Sequence, residues 1–99
     1  MLFALIAKDK PNSGEIRAVN RPRHLEYLKA SSESVRLAGP LLDENDLPIG
    51  ALIILEASDL EEAKRWAADD PYARAGLFHE TLVLPWKFGM GKGFSTSAT

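Results

Sequence analysis

The sequence predicts an α+β domain with the ferredoxin-like order β-α-β-β-α-β. Apolar runs of strand length alternate with two segments of helical spacing in that order along the chain. The 99 residues, 45% hydrophobic and 26% charged, fit one globular domain. We therefore expect one antiparallel four-stranded sheet with both helices on the same face.

The first strand is predicted over Leu2–Ala7, an apolar run that leads into the breaker-rich segment KDKPNSG. The first helix is predicted over Arg21–Val35. Asn20 suits the N-cap position and Pro22 is tolerated in a first turn. Apolar residues then recur at roughly helical spacing, at Leu25, Leu28 and Val35.

The second half repeats this pattern. Leu37–Leu42 and Ile49–Leu55 are predicted as strands joined by the polar turn DENDLP. Ser58 and Glu61 have the S-x-x-E spacing of a capping box, which predicts the start of the second helix. The run Leu77–Leu84 is rich in β-forming residues and predicts the fourth strand.

Residues 1–87 are predicted to form the domain, and residues 88–99, FGMGKGFSTSAT, a flexible Gly/Ser/Thr-rich tail. The strand sequences LFALIA and IGALIIL place apolar side chains on both faces of the sheet. Two helices on one side leave the second face bare, and soluble monomers rarely expose so large an apolar surface. The sequence therefore predicts a homodimer or higher homo-oligomer that packs sheet against sheet.

Several classes of protein are excluded by composition. The net charge is −2 without a basic cluster, so we expect no nucleic-acid partner. No apolar run approaches the ~20 residues of a membrane span, which favours a cytoplasmic protein without membrane contact. The chain lacks cysteine and nucleotide-binding glycine motifs, and we expect neither metal nor cofactor.

His24 is the first candidate for chemistry. It lies near the N-terminus of the predicted helix, where the dipole, Arg21 and Arg23 disfavour an imidazolium, and the neutral imidazole suits proton abstraction. The alternative is an ordinary, partly buried helix residue. Asp70, which precedes Pro71, is expected to cap a short turn, and it can also polarise His24 if the fold brings the two together.

Further candidate site residues lie elsewhere along the chain. Arg17, Arg21 and Arg23 can orient an anionic or phenolate substrate through forked hydrogen bonds, or they can simply face solvent. Gly39 and Pro40 can let the second strand approach a ligand closely, the alternative being a bulge or an edge break. His79, between Phe78 and Glu80, reads as a sheet residue.

The motifs DK-x₂-S-x₃-R, RP-x-HL, AGPL and DDPY-x₃-G together resemble the YciI (YCII-related) family over roughly residues 1–87. The resemblance implies a dimeric α/β barrel whose pocket holds a histidine and an aspartate, here His24 and Asp70. Tyr72, in the same DDPY motif, is assigned with the arginines and the Gly-Pro pair to substrate binding. One branch of the family eliminates HCl from a chlorinated hydroxyhydroquinone.

Two functions follow as hypotheses. The first is a small cofactor-independent lyase or isomerase in which His24 is the base and Asp70 its partner, acting on a small aromatic or lactone-like substrate. The alternative is a non-catalytic dimeric module that binds a small ligand or accompanies another enzyme. The fold alone cannot choose between them, because it is shared by enzymes and plain binding proteins.

Overall fold

The computed structural model describes residues 1–93, and within them four strands form one antiparallel sheet in the order β2-β3-β1-β4. In chain order the elements are β1 Leu2–Asp9, α1 Gly14–Ala30, β2 Val35–Leu42, β3 Pro48–Glu56, α2 Leu60–Asp69, the single-turn α3 Pro71–Arg74, and β4 Phe78–Trp86. This is the predicted ferredoxin-like α+β fold. Residues 94–99 of the predicted tail lie outside the described residues.

The first helix starts earlier than predicted. It begins at Gly14, so Asn20 is not its N-cap but an interior residue, whose side-chain amide donates to the carbonyl of Ile16 at 2.9 Å. Pro22 lies inside the helix rather than in its first turn. The predicted start at Arg21 was wrong. Asn and Pro are typical of helix starts, but here the helix has already begun seven residues before Arg21.

The second helix also begins one residue away from the predicted cap. Asp59, rather than Ser58, is the N-cap, and its carboxylate accepts from the backbone N–H of Glu62 at 2.8 Å. Glu62 in turn accepts from the N–H of Ser58 at 2.7 Å. The glutamate side chain thus bonds the residue before the N-cap rather than the N-cap itself, and Glu62 takes this part in place of Glu61.

The core lies between the sheet and the helices. Alternate residues of the two central strands point to the helical side and are almost fully buried. Small residues of α2 allow the helix to approach this surface closely. The buried cluster is Phe3, Leu5, Ala7, Ile53, Leu55, Ala57, Ala63 and Ala67. At one point β1 and β3 come so near that a side chain on Gly50 would collide with the carbonyl of Ala7.

The opposite face of the sheet is apolar as well. The register of the ladders places the intervening residues of the strands together on this open face: Leu2, Ala4, Ile6, Leu37, Leu41, Leu52, Ile54, Leu82 and Leu84. No helix of residues 1–93 covers it, and Leu82 and Leu84 are 41% and 51% exposed. We call this surface the open sheet face.

In the described part of the chain no helix is long and apolar enough to cross a bilayer.

Candidate functional site

One cavity of about 260 Å³ lies between α1 and the sheet. Successive turns of α1 place Arg17, Arg21, His24, Leu25 and Leu28 on the same helix face, toward the cavity. The rest of the lining comes from the β2–β3 pair and from α3: Ala38, Gly39, Pro40, Pro48, Ala51, Ile53 and Tyr72. Of the site residues proposed from the sequence, only Asp70 and Arg23 do not line this cavity. Arg23 is exposed on another face of α1, so its proposed contact with a substrate in this cavity is wrong.

Asp70 lies directly behind His24. Its Oδ1 accepts from His24 Nδ1 at 2.9 Å and from the backbone N–H of Tyr72 at 2.9 Å. Asp70 and His24 are only 3% and 8% exposed. Asp70 thus caps α3 and holds the imidazole with the same oxygen, so the two roles considered for it from the sequence are compatible.

The hydrogen bond to Asp70 fixes the orientation of the imidazole. A carboxylate only accepts hydrogen bonds, so Nδ1 is the donor in this contact, and in the tautomer that donates from Nδ1 the lone pair is on Nε2. Nε2 makes no hydrogen bond to another group of residues 1–93, whereas every fully buried side-chain nitrogen and oxygen of these residues has a partner. Nε2 is therefore accessible, and His24 is one of the residues that line the cavity.

The helix dipole does not set the state of His24, contrary to the argument from sequence. Because α1 begins at Gly14, His24 lies in its middle rather than its first turn, and dipole effects fade within one turn of a helix end. The environment of the imidazole is instead set by the side chains around it. Only the tertiary structure brings those groups together.

The ring of Tyr72 covers one face of the imidazole. The two ring centroids are 4.0 Å apart with an interplanar angle of 14°, and Tyr72 is 1% exposed. Burial raises the pKa of the Tyr72 phenol, although the nearby charges of Arg17 and Arg21 act to lower it. Tyr72 is thus an uncharged stacking partner, and with Asp70 it fixes both the edge and the face of His24.

Arg17 is already engaged within the protein. Its Nε and Nη2 donate to the two carboxylate oxygens of Asp9 at 2.8 and 3.0 Å, and Nη2 also donates to the carbonyl of Gly50 at 3.1 Å. Its Cζ lies 4.8 Å from the centroid of the Tyr72 ring. Burial acts to lower the pKa of Arg17, but the bond and charge of Asp9 raise it above its ordinary value overall.

The other candidates have distinct places. Pro40 pairs with Ala51 on the helical side, whereas Gly39 pairs with Leu52 on the open sheet face, so Gly39 lines the cavity with its backbone alone. His79 is an exposed residue of β4, outside the cavity. Within residues 1–93 no three His, Asp or Glu side chains are grouped as a metal site would require.

Sequence reasoning missed Asp9, the partner of Arg17. The spacing DK-x₂-S-x₃-R contained the signal, because it joins the end of a strand to the second turn of the next helix. The serine of that motif, Ser13, is also a structural residue, since its hydroxyl donates to the carbonyl of Lys10 at 2.5 Å. The apolar lining residues had no distinctive signal in the sequence.

The fold and this cavity define a small ferredoxin-like domain with a buried His–Asp pair at a ligand-sized site. The sequence model of the YCII-related domain family matches residues 1–87. The chain belongs to this family.

Curated relatives have similar length and identity. Protein YciI of Escherichia coli is 39% identical over 95 residues, covering 88% of this chain and 97% of the relative. An uncharacterized protein of Haemophilus influenzae is 38% identical over 95 residues, with the same coverage of both chains.

Among solved structures, 5-chloro-2-hydroxyhydroquinone dehydrochlorinase (TftG) of Burkholderia phenoliruptrix, in complex with 2,5-dihydroxybenzoquinone, has a similar fold. The TM-score is 0.83 at 36% sequence identity, over 90% of this chain and 96% of that chain. A protein with a similar fold is thus an enzyme whose structure contains a small oxygenated ring.

Proposed function

We propose that the protein is a small cofactor-independent enzyme that uses His24 as general base and Asp70 as its positioning partner on a small aromatic substrate. The observation that carries the proposal is the buried 2.9 Å contact between His24 Nδ1 and Asp70 Oδ1, with Nε2 accessible. A general base must reach the proton that it abstracts, and a carboxylate on the other nitrogen stabilises the imidazolium that forms.

The reaction we propose is elimination of HCl from a chlorinated hydroxyhydroquinone. It is supported by the similarity to the Burkholderia dehydrochlorinase and by a cavity of about 260 Å³ with largely apolar walls, which suits one substituted ring. His24 Nε2 takes a hydroxyl proton from the keto tautomer of the ring. In this tautomer the chlorine-bearing carbon is sp³. The electrons of the broken O–H bond form a carbonyl, the adjacent ring double bond shifts to the chlorine-bearing carbon, the C–Cl bond breaks, and chloride leaves with its electron pair.

This step balances without an oxidant or a reductant. The ring loses one proton and one chloride, and the trihydroxybenzene becomes a hydroxyquinone. The organic ring is oxidised as the C–Cl bond is reductively lost, so the electrons remain within the substrate. In this scheme Asp70 keeps its charge and stabilises the imidazolium, and Tyr72 holds the ring plane of His24.

The test is chloride release from 5-chloro-2-hydroxyhydroquinone in anaerobic buffer, compared with the spontaneous rate. His24→Ala and His24→Gln are expected to lower kcat by about 10²- to 10⁴-fold, the usual contribution of a general base. His79→Ala, a change at the exposed histidine, should leave the rate unchanged. Circular dichroism checks that each variant is folded.

Two results would overturn parts of the proposal. If the wild-type protein releases no chloride above the spontaneous rate, the reaction is wrong. If folded His24 variants keep the wild-type rate, the assignment of the base is wrong, and a non-catalytic binding module becomes the better description.

We also propose that a second copy of the chain covers the open sheet face. The support is the continuous set of apolar side chains across all the strands, including Leu52, Leu82 and Leu84, which are more than a third exposed. Burial of such a face against an identical one removes it from water on both chains at once. Sedimentation velocity should give the mass of at least two chains, and a monomer at all concentrations would contradict the proposal.

A further inference from the structure

We propose that Arg21 recognises an ionised oxygen of the substrate, so that the cavity selects the anionic form of a small flat ring. The inference rests on the proposed function, since it names the substrate form taken by the same site. It also separates two arginines that the sequence could not distinguish. Arg17 is held within the protein, whereas Arg21 presents its charge to the cavity.

Most of the N–H donors of Arg17 are already engaged. Its Nε and Nη2 donate to Asp9, Nη2 also donates to the carbonyl of Gly50, and the side chains of Arg17 and Asp9 are only 14% and 8% exposed. The negative charge of Asp9 cancels that of Arg17 at close range in a poorly solvated place. Arg17 therefore supports the position of Tyr72 rather than attracting substrate.

Arg21 has a different environment. It lies one helical turn after Arg17 on α1, lines the same cavity, and is exposed at its edge. Within residues 1–93 no carboxylate lies within ion-pair distance of its guanidinium. Its charge opposes the rise that burial causes in the pKa of the Tyr72 phenol, another residue of the cavity lining. The fork of this guanidinium is available to a ligand.

The remaining charges of the cavity leave Arg21 uncompensated. His24 is bonded to Asp70, Arg17 to Asp9, and the other lining groups are apolar residues, a glycine and the ring of Tyr72. Apolar walls suit a flat ring, and the exposed guanidinium at the edge of the cavity can bond a charged oxygen of that ring. A phenolate or an ionised hydroxyquinone combines the flat apolar ring and the negative oxygen that this lining would bind.

The spacing of Arg21 and His24 sets the orientation of such a ring. Residues three apart on a helix have side chains on the same face, with Cβ atoms about 5–6 Å apart. This distance is comparable to the width of a six-membered ring with its oxygen substituents. One ring can therefore place its ionised oxygen at Arg21 and another hydroxyl near Nε2 of His24.

The experiment measures binding of two quinones by isothermal titration calorimetry at pH 7. 2,5-Dihydroxybenzoquinone has vinylogous acid hydroxyls that are ionised at this pH, and 2,5-dimethoxybenzoquinone has no ionisable group. The wild-type protein should prefer the anion. Arg21→Gln should weaken anion binding about 10- to 100-fold, the effect of losing charge-assisted hydrogen bonds, and should leave binding of the dimethoxy compound unchanged.

Matched variants separate recognition from general charge. Arg23→Gln removes an exposed arginine of the same helix that does not line this cavity, and it should bind both compounds as the wild type does. Arg21→Lys should recover part of the affinity, since it keeps the charge but not the fork. Higher salt should weaken anion binding to the wild type more than to Arg21→Gln.

The inference is overturned if Arg21→Gln binds the anion as tightly as the wild type, or if the wild type does not prefer the anion. This failure is distinguishable from that of the proposed function. Chloride release that depends on His24 but not on Arg21 would leave the function standing and remove this inference. Anion binding that depends on Arg21, without chloride release, would support the role of Arg21 and remove the proposed reaction.

Discussion

Asp70 is expected to stabilise the fold more than an ordinary helix cap does, because one of its oxygens accepts hydrogen bonds from two buried donors. Asp70→Ala removes the acceptor of the Tyr72 N–H and that of His24 Nδ1, each at 2.9 Å. Loss of an N-cap costs about 1 kcal/mol. A buried imidazole N–H left without a partner costs about 1–3 kcal/mol more. Asp70→Ala should therefore lower the free energy of unfolding by about 2–4 kcal/mol.

Two comparisons separate these contributions. Asp59 caps α2 through one bond of 2.8 Å, is exposed, and has no histidine partner, so Asp59→Ala should cost only about 1 kcal/mol. His24→Phe keeps an aromatic ring against Tyr72 but has no N–H. In that background Asp70→Ala should also cost only about 1 kcal/mol, the part due to capping.

The assay is urea unfolding followed by tryptophan fluorescence, with all variants at one protein concentration because oligomerisation adds to stability. Asp70→Asn keeps an acceptor oxygen in the same place and should lie between the wild type and Asp70→Ala. Two results would contradict this expectation. One is an equal loss in free energy of unfolding for Asp70→Ala with and without the imidazole, and the other is a loss no larger than that of Asp59→Ala. Asp70 would then be a cap alone.

Three other predictions concern the scaffold. Gly50→Ala should cost about 3 kcal/mol or more in urea unfolding, because the added methyl group meets a carbonyl of β1, whereas Gly14→Ala, with open space around it, should be nearly neutral; equal costs would contradict the close approach. Burial raises the pKa of Tyr27 to about 12 from its usual 10, so the unfolded chain loses the phenol proton first as pH rises. The stability difference between wild type and Tyr27→Phe should therefore be constant from pH 7 to 9 and shrink above pH 10, and a difference independent of pH would argue against this environment. Leu84→Glu on the open sheet face should shift sedimentation toward the monomer while Val19→Glu on α1 does not, and an unchanged mass for both would place the interface elsewhere.

The pattern of the sequence was enough for the fold class. Apolar runs and helical spacings gave the element order, because each element must bury one side, and that requirement shows in local periodicity. The ends of the helices were less secure. Asn20 and Pro22 are typical of a helix start, but the helix already runs from Gly14, since a local preference for capping is weak compared with continued helix packing.

The motifs of the sequence marked residue types of the candidate site but not their bonding. His24, Arg17 and Arg21 line one cavity and Asp70 lies directly behind it, whereas Arg23 does not line it. The sequence did not show that Arg17 is bound by Asp9 and Arg21 is not. That difference depends on where the end of β1 lies relative to α1, which is a long-range relation.

Hydrophobic period and residue chemistry are local properties, so the order of elements, the two apolar faces of the sheet and the candidate residues could be predicted from the sequence. Which groups are in contact depends on the tertiary fold. It placed Asp70 against His24 across 46 positions of chain, put Tyr72 on the imidazole face and left Arg21 unpaired among residues 1–93. Hydrogen bonds act over about 3 Å, so partners distant in sequence are fixed by packing alone.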